Sequence, residues 1–386
     1  MAANKPNFEV ADIIVKFGYS FKMKHNPNSW VMRNLLNLSV CRTAHLGGHK
    51  QTCDSCGKSR ISYNSCRNRN CPKCQSSKQA FWVEDVSNRI IDTKYFHIVF
   101  TVPDVLNEIC LIDTRWFYNT LMATSWQTLR TFGYSNYAVE SGALAVLHTW
   151  GQNLSLHPHV HCLVPAAGAD IAGNIIPITK KGKYIFPVTK MSVDFRSIML
   201  KKIKKYLKDK GVLSDYQNII DDAWAKPWNV FSQPSFGDAE HVIKYLGLYT
   251  HRVAISNNRI LSISDNNVSF HYKDYKQGAK RKIITLSGVE FLRRFCMHIL
   301  PKQFVKIRYY GILSNRYQKL TAMYRIPKTK VVNEESSQQR IKRLTGFDVY
   351  LCPYCKKGKM IDKGDIIPRI RSPAKVLIKP KKLLAI

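Results

Sequence analysis

Two pairs of closely spaced cysteines constrain the fold of this chain more than any other feature. Cys53 and Cys56 form one Cys-x-x-Cys pair, and Cys71 and Cys74 form a second pair after 14 intervening residues. Each pair lets two thiolates approach one tetrahedral Zn²⁺, and four thiolates close its coordination sphere, which is typical of a structural site. We therefore predict that residues 45–80 fold around one structural zinc held by these four cysteines.

Further cysteines and histidines surround this predicted site. The spare ligands in reach of a second ion are Cys66 and His49, followed by Cys41 and His45. Near the carboxyl end, Cys352 and Cys355 form a half site without an evident partner pair, and its other ligands come either from elsewhere in the chain or from a second subunit. Three isolated cysteines in apolar settings are expected to be buried thiols: Cys110, Cys162 and Cys296.

The charge of the chain indicates its partner. Among 386 residues, 60 Lys and Arg face 26 Asp and Glu, a formal charge of +34, while 45% of residues are hydrophobic. Such an excess of positive charge destabilises a compact chain unless a polyanion neutralises it. We therefore expect a globular protein that binds nucleic acid. An anionic membrane is the competing partner, but no apolar run approaches 18 residues and no signal peptide opens the chain. We expect a cytoplasmic, nucleoid-associated protein with no membrane contact.

Three histidines alternate in the segment 156–168, LHPHVHCLVPAAG. Successive side chains of a strand point to opposite faces, so His157, His159 and His161 would share one face. Neutral imidazole is the commonest side-chain metal ligand near neutral pH. The pattern favours a metal site that leaves other positions of the ion open for water and substrate, although a histidine-rich strand surface without metal is the simpler alternative.

The third ligand of such a site is not fixed by the sequence. Residues 142–151 and 158–165 read as two strands of a hairpin. Gln152 would then lie across from the histidine strand, and either its amide oxygen or His157 completes the site. His148 has the same strand parity as Gln152 but would lie further from the pair.

Two tyrosines form a second candidate group. Tyr245 and Tyr249 are four residues apart in the segment 238–252, which reads as a helix, so both phenols would lie on one face. Such pairs are usually packing residues. Beside a metal site in a basic protein they become candidate nucleophiles, although a phenol with a pKa near 10 needs activation before it attacks.

The remaining pattern predicts an α+β chain of several modules. Amphipathic helices come first, and β-branched runs alternate with helices from residue 94 onward. We predict amino-terminal helices (1–44), a zinc-binding module (45–80), a central domain that contains the histidines and tyrosines (81–260, with an insertion at about 169–235), a basic α/β module (261–325), and a linker, Cys-x-x-Cys pair and basic tail (326–386).

Five segments in this order resemble a known family: YNSCRNRNCPKC, HIVFTVP, HTWGQNLSLHPHVHCLVPAAG, YLGLYTHRVAISN and FLRRFCMHILPKQFVKIRYYG. The chain resembles the bacterial rolling-circle insertion-sequence transposases, the two-tyrosine branch of the HUH endonuclease superfamily, over about residues 8–355. The resemblance implies a central antiparallel sheet flanked by helices. It implies that His159 and His161, with Gln152, hold Mg²⁺ or Mn²⁺, and that Tyr245 and Tyr249 are the paired nucleophiles.

The activity implied by the resemblance is nicking and transfer of single-stranded DNA. One tyrosine forms a 5′-phosphotyrosine and releases a 3′-OH at an element end, and the second supports a matching cleavage, without ATP or another organic cofactor. A plasmid or phage replication initiator, or a relaxase, would share this chemistry. A non-catalytic zinc-containing DNA-binding regulator is the alternative from a different class. The sequence leaves the oligomeric state and the recognised DNA sequences open.

Overall fold

The computed structural model describes residues 6–87, 90–178, 185–233, 247, 253–317 and 335–368. Helices and antiparallel strands are mixed along this part of the chain, which confirms the predicted α+β class. The helices are α1 (Val10–His25), α2 (Ser29–Ser39), α3 (Gln75–Ser87), α4 (Asn107–Ile112), α5 (Thr114–Tyr137), α6 (Val188–Asp209), α7 (Gln217–Ala225), α8 (Gly288–Met297) and α9 (Ser337–Thr345). The strands are β1 (Gly48–Cys53), β2 (Ser59–Tyr63), β3 (Tyr95–Thr101), β4 (Gly142–Trp150), β5 (Leu156–Pro165), β6 (Ala167–Ala169), β7 (Ile175–Pro177), β8 (Asn229–Gln233), β9 (Ile260–Ile263), β10 (Asn267–Asp274), β11 (Lys280–Ser287), β12 (Ile307–Gly311) and β13 (Met360–Ile366).

The amphipathic helices predicted at the amino end are α1 and α2. Asn26 ends α1 in a left-handed conformation, with a φ of 40°, and Asn28 caps α2 by accepting a hydrogen bond from the Val31 N–H. The buried face of α1 packs against α8, beside the sheet formed by β9, β10 and β11. The amino-terminal helices are thus joined to the carboxyl-terminal part of the fold.

A central antiparallel sheet has, within the described residues, five strands in the order β12-β4-β5-β3-β8. The predicted hairpin of β4 and β5 lies at its middle. On one face, Ala145 and Cys162 belong to the main core with α5 and α6. On the opposite face, Leu144 and Leu163 pack with Val86 of α3. We call this second side the α3 face, and alternate residues of each strand point to it.

Segments outside the predicted nuclease core also build this sheet. The segment 169–235, expected as an insertion, supplies α6, which packs along α5, and β8, which pairs with β3 at one edge. The strand β12, assigned from its charge to the basic module, pairs with β4 at the other edge. Its Ile307 and Tyr309 pack on the α3 face, which explains why this basic segment belongs to the sheet.

A separate small sheet joins distant parts of the chain. β1 pairs with β2 on one side and with β13 on the other. Composition predicted a linker at 326–339, but its described end starts α9, which Ser336 caps. Arg340 of α9 lies 2.5 Å from Glu84 and 2.7 Å from Asp85 of α3. No described helix combines the length and apolar character needed to cross a membrane.

Candidate functional site

The described residues hold two groups of four cysteines. Within each group, the four sulfur atoms lie within 4.8 Å of one another. The first cysteine cluster is Cys41, Cys66, Cys71 and Cys74, and the second cysteine cluster is Cys53, Cys56, Cys352 and Cys355. The structure therefore does not bring the two Cys-x-x-Cys pairs of residues 53–74 together, and the predicted grouping of these four around one ion is corrected.

The first cysteine cluster has the dimensions of a zinc site. The Sγ atom of Cys41 lies 3.5 Å from those of Cys71 and Cys74, and Cys66 Sγ lies 3.7 Å from Cys74 Sγ. Four sulfurs at about 2.3 Å from one tetrahedral ion lie about 3.8 Å apart. The thiols thus fit Zn²⁺ with little movement. They join the end of α2 to the start of α3.

The second cysteine cluster gives Cys352 and Cys355 their partners within the same chain. Their sulfurs lie 3.7 Å from those of Cys56 and Cys53, respectively. A Cβ at Gly358 would lie 2.5 Å from Cys53 Sγ, so glycine is needed for this approach. The Gly358 N–H donates to Cys355 Sγ at 3.4 Å and lowers the pKa of that thiol to about 6. This favours the thiolate that binds zinc.

The other candidate zinc ligands and the isolated cysteines lie in different parts of the structure. Cys66 belongs to the first cysteine cluster, whereas His49 lies on β1 with Nδ1 2.8 Å from an Asp365 oxygen and 3.9 Å from an Asp362 oxygen. This group lies on the surface of the small sheet, apart from the cysteines. The isolated Cys110 and Cys162 are buried thiols, as predicted, and Cys296 is half-buried.

Three histidines meet on the α3 face of the central sheet. His159 and His161 lie on β5, and His148 of β4 pairs with His159. One ring nitrogen from each lies within 4.8 Å of the other two. The His148 ring centroid is 5.4 Å from that of His159 and 4.5 Å from that of His161. This histidine group suits a divalent metal ion with further positions open to water or a phosphate oxygen.

A register shift in the hairpin brings His148 into the histidine group. Trp150 pairs with Leu156, but the register changes before His148, which pairs with His159. Pro158 lies in the shifted stretch, and proline has no N–H to donate to the ladder. With an unbroken register His148 would face Pro158, and the imidazoles of the two strands would not be opposite each other.

The two residues predicted as the third ligand lie elsewhere. Gln152 lies in the hairpin turn beyond the pair of Trp150 and Leu156, and its backbone carbonyl accepts a hydrogen bond from Arg259. His157 is exposed and is not one of the three histidines whose nitrogens converge, although its ring lies 5.1 Å from that of His159.

Hydrogen bonds orient two imidazoles of the histidine group. His159 Nδ1–H donates to the His157 carbonyl at 2.7 Å, so Nε2 is the nitrogen of this ring that would bind a metal ion. His161 Nδ1 lies 2.8 Å from Nε2 of His97 on β3, and the two rings stack 5.1 Å apart. Burial lowers the pKa of His97 and of His159 to about 4, so both rings are neutral at neutral pH. His97 is not among the predicted site residues; its place in the strand HIVFTVP is the only signal for it in the sequence.

Tyr245 and Tyr249 lie outside the described residues. Gly247, halfway between them, is described and buried, and a Cβ there would lie 2.3 Å from Val83 Cγ2 of α3. α3 in turn packs on the same sheet face as the histidine group. The centre of the tyrosine segment therefore contacts the helix that covers this face.

Comparisons with known proteins identify the family. A family model described as a putative transposase matches residues 142–320, and one described as a transposase zinc-binding domain matches residues 13–102. The chain is 39% identical over 383 residues to the putative transposase y4qJ of Sinorhizobium fredii, across 94% of this chain and 96% of that protein. The chain belongs to the IS91-type insertion-sequence transposases.

A second relative supports the same family. This transposase is 28% identical over 302 residues to the transposase for insertion sequence element IS801 of Pseudomonas savastanoi pv. phaseolicola, across 74% of this chain and 70% of that protein. No solved structure matches the chain. A transposase acts on DNA, and DNA is the polyanion that a formal charge of +34 requires.

The two matched regions contain different candidate sites of this transposase. The zinc-binding match contains the first cysteine cluster and half of the second, and together with the cluster geometry it supports structural Zn²⁺. Cys352 and Cys355 lie beyond both matches. The transposase match begins at β4 and contains the histidine group and the segment 245–249.

Proposed function

We propose that this transposase nicks single-stranded DNA at the ends of its element and transfers the strands through 5′-phosphotyrosine intermediates, as in rolling-circle transposition. The observation that carries the proposal is the histidine group, in which three imidazole nitrogens converge on one sheet face. The packing of Gly247 against α3, which covers the same face, supports a position for Tyr245 and Tyr249 near this site.

The ligands favour a transition metal. Mg²⁺ prefers six oxygen ligands, whereas first-row transition ions bind imidazole nitrogen more readily, and Mn²⁺ is the member of that series closest to Mg²⁺ in its ligand preferences. When bound, the ion would polarise the scissile phosphate and stabilise the leaving 3′ oxygen. His148, His159 and His161 would hold it, and His97 would orient His161. We therefore propose Mn²⁺, with Mg²⁺ as a weaker substitute.

Tyr245 and Tyr249 are proposed to supply the nucleophiles. The phenol oxygen forms a bond to phosphorus, the bond from phosphorus to the 3′ oxygen breaks, and the phenol proton ends on that oxygen as a 3′-OH. A phenol with an ordinary pKa near 10 is protonated at neutral pH, so its proton must leave during attack. Each step exchanges one phosphodiester for another, so strand transfer needs no ATP.

Membership in the transposase family favours transposition over the alternatives. A replication initiator or relaxase would use the same residues, but both relatives named above are transposases, and one of them matches 94% of this chain. A regulator that binds DNA without cutting it would have no need for converging imidazoles with open metal positions. Only the regulator makes a different prediction for the tyrosines, because it would form no covalent adduct with DNA.

Covalent trapping tests the proposal. Labelled single strands tiled across both ends of the element would be incubated with the protein and Mn²⁺, and the adduct that survives SDS would be mapped by mass spectrometry. We expect attachment to Tyr245 or Tyr249 and no adduct with the double variant Tyr245→Phe, Tyr249→Phe. Tyr275→Phe, at an exposed tyrosine, is the matched control. An adduct of normal yield with the double variant would refute the tyrosine assignment.

A further inference from the structure

A cavity of about 310 Å³ lies beside the histidine group. Trp150 forms part of its wall and stacks on His148, with ring centroids 4.8 Å apart and planes 19° from parallel. Most of the remaining wall comes from the start of α3 and the loop before it, and from the stretch that runs from α8 to β12; Val253 and Ala254 complete it. The volume is at the lower end of the range for small-ligand pockets, about 300–1,000 Å³. It suits one unpaired nucleotide and excludes a duplex.

One end of the cavity is cationic. Arg69 and Lys306 both line it, and among the described residues that do so there is no Asp or Glu. The Arg69 guanidinium donates to the Phe304 carbonyl at 2.8 Å, and Lys306 Nζ lies 5.2 Å from the centroid of the Trp150 ring. Burial, together with the charge of Arg69, lowers the pKa of Lys306 to about 7. An anion between the two side chains would offset the mutual repulsion.

The rest of the cavity is mostly apolar, with two amides and the His298 ring among its lining residues. Phe295, Ile299 and Leu300 contribute apolar side chains, and Asn70 and Gln75 contribute the amides. A cationic end joined to an apolar wall matches the two halves of a nucleotide, a phosphate and a base. A free inorganic anion would use only the first half.

We infer that this cavity binds one unpaired nucleotide of the strand that is cut, with its phosphate between Arg69 and Lys306 and its base against the wall formed by Trp150 and Ile299. The contact between Trp150 and His148 places this nucleotide next to the scissile phosphate. The inference rests on the proposed function for the position of that phosphate. It also gives the first cysteine cluster a part in DNA binding, because Arg69 and Asn70 directly precede Cys71.

Binding of an unstructured strand tests the cationic end. The probe is fluorescein-labelled (dT)12, measured by anisotropy with Mn²⁺ omitted so that no cleavage occurs. We expect Arg69→Gln and Lys306→Gln each to weaken binding about 10-fold at 150 mM salt and to reduce the salt slope by about 0.7, the value for one phosphate contact with a single strand. Lys302→Gln, at an exposed lysine in the same segment as Lys306, is the matched control. Unchanged zinc content and melting temperature show that each variant is folded.

Photocrosslinking tests the position of the base. A (dT)12 strand with one 5-iododeoxyuridine is irradiated in the complex, and the linked peptide is identified. We expect crosslinks to the peptides that contain Trp150 or residues 295–300, and their loss in the double variant Arg69→Gln, Lys306→Gln. Crosslinks confined to other sites, such as the exposed Trp224, together with normal binding by both single variants, would overturn the inference.

The two proposals fail in different ways. If the cavity does not bind a nucleotide, tyrosine adducts still form with an element end. The crosslinks then lie only at other sites, and Arg69→Gln and Lys306→Gln bind (dT)12 normally. If the cleavage chemistry is wrong, no tyrosine adduct forms, yet (dT)12 still crosslinks to the cavity, because this measurement needs neither metal nor tyrosine.

Discussion

At the residue scale, three imidazoles have to present one nitrogen each to the same point. His159 does so because its Nδ1–H is engaged by the His157 carbonyl, and His161 because its Nδ1 contacts His97. His148 enters the group through the hairpin register. The site is thus held by backbone geometry and hydrogen bonds on three neighbouring strands, β3, β4 and β5.

Replacing His148 tests whether it is a ligand. We expect His148→Ala to lower Mn²⁺ affinity by more than about 100-fold, because loss of a ligand exceeds the 10–100-fold cost of losing a supporting hydrogen bond. Nicking should fall in parallel. Gln152→Ala, in the hairpin turn, should change Mn²⁺ affinity less than twofold. Free Mn²⁺ can be followed by electron paramagnetic resonance. A larger loss of Mn²⁺ affinity in Gln152→Ala than in His148→Ala would indicate that Gln152, not His148, is the third ligand.

His97 is expected to act through His161. We predict that His97→Ala lowers Mn²⁺ affinity by about 10–100-fold, because the His161 ring loses the contact that fixes its tautomer and orientation. His97→Gln should recover part of this loss, since its amide can still hydrogen-bond to Nδ1. Titration with Mn²⁺ at saturating single-stranded DNA would separate this positioning effect from any loss of DNA binding. Equal affinity in all three proteins would exclude a positioning role.

Strand alternation alone was enough to predict His159 and His161 as a pair, since the period of two does not depend on distant parts of the chain. Strand alternation was not enough to predict that His148 lies beside this pair. The shift near Pro158 changes the register by one residue, and a one-residue change moves every later side chain to the other face. His97 required knowledge of which strand lies beside β5, which spacing along one strand does not contain.

At the element scale, the sequence predicted those helices and strands that depend only on residues in their own segment. The helices α1, α2 and α5 and the strands β3, β4 and β5 follow from periodicity and breaker residues in their own segments. The cysteine partners could not be predicted in this way. The pair Cys53 and Cys56 fits a zinc knuckle with any second pair, and the choice of Cys352 and Cys355 follows from the pairing of β1 with β13, which lies more than 300 residues away in the chain.

Zinc analysis of cysteine variants tests the two clusters separately. We expect two zinc ions per chain in the parent protein and one in the double variant Cys352→Ser, Cys355→Ser, with Mn²⁺ affinity unchanged, because the second cysteine cluster contains none of the residues that line the histidine group or the cavity. Cys71→Ser should also lose one zinc, but binding of (dT)12 should weaken through Arg69. Metal content is measured by mass spectrometry. A single zinc in the parent protein would contradict the assignment.

At the scale of the whole molecule, the excess charge is spread over two sides of the central sheet. The proposed site lies on the α3 face, whereas α6 packs on the opposite face with α5. Four exposed lysines lie in the carboxyl-terminal half of α6: Lys201, Lys204, Lys205 and Lys208. A short strand bound at the histidine group would not reach them across the sheet and a helix layer. They therefore suit contact with DNA that continues beyond the site and bends around the protein.

This separation makes the effect of the α6 lysines depend on DNA length. We expect replacement of Lys201, Lys204, Lys205 and Lys208 by Gln to leave affinity for (dT)12 and the nicking rate at saturating DNA within twofold of the parent protein. Affinity for a 60-nucleotide strand should fall, and its salt slope should decrease by up to about 3, because as many as four phosphate contacts are lost. Anisotropy titrations at 50–200 mM salt measure both. An equal loss with short and long strands would mean that charge on α6 acts on the site through the general field of the protein rather than by contact, since only direct contacts depend on where the strand ends.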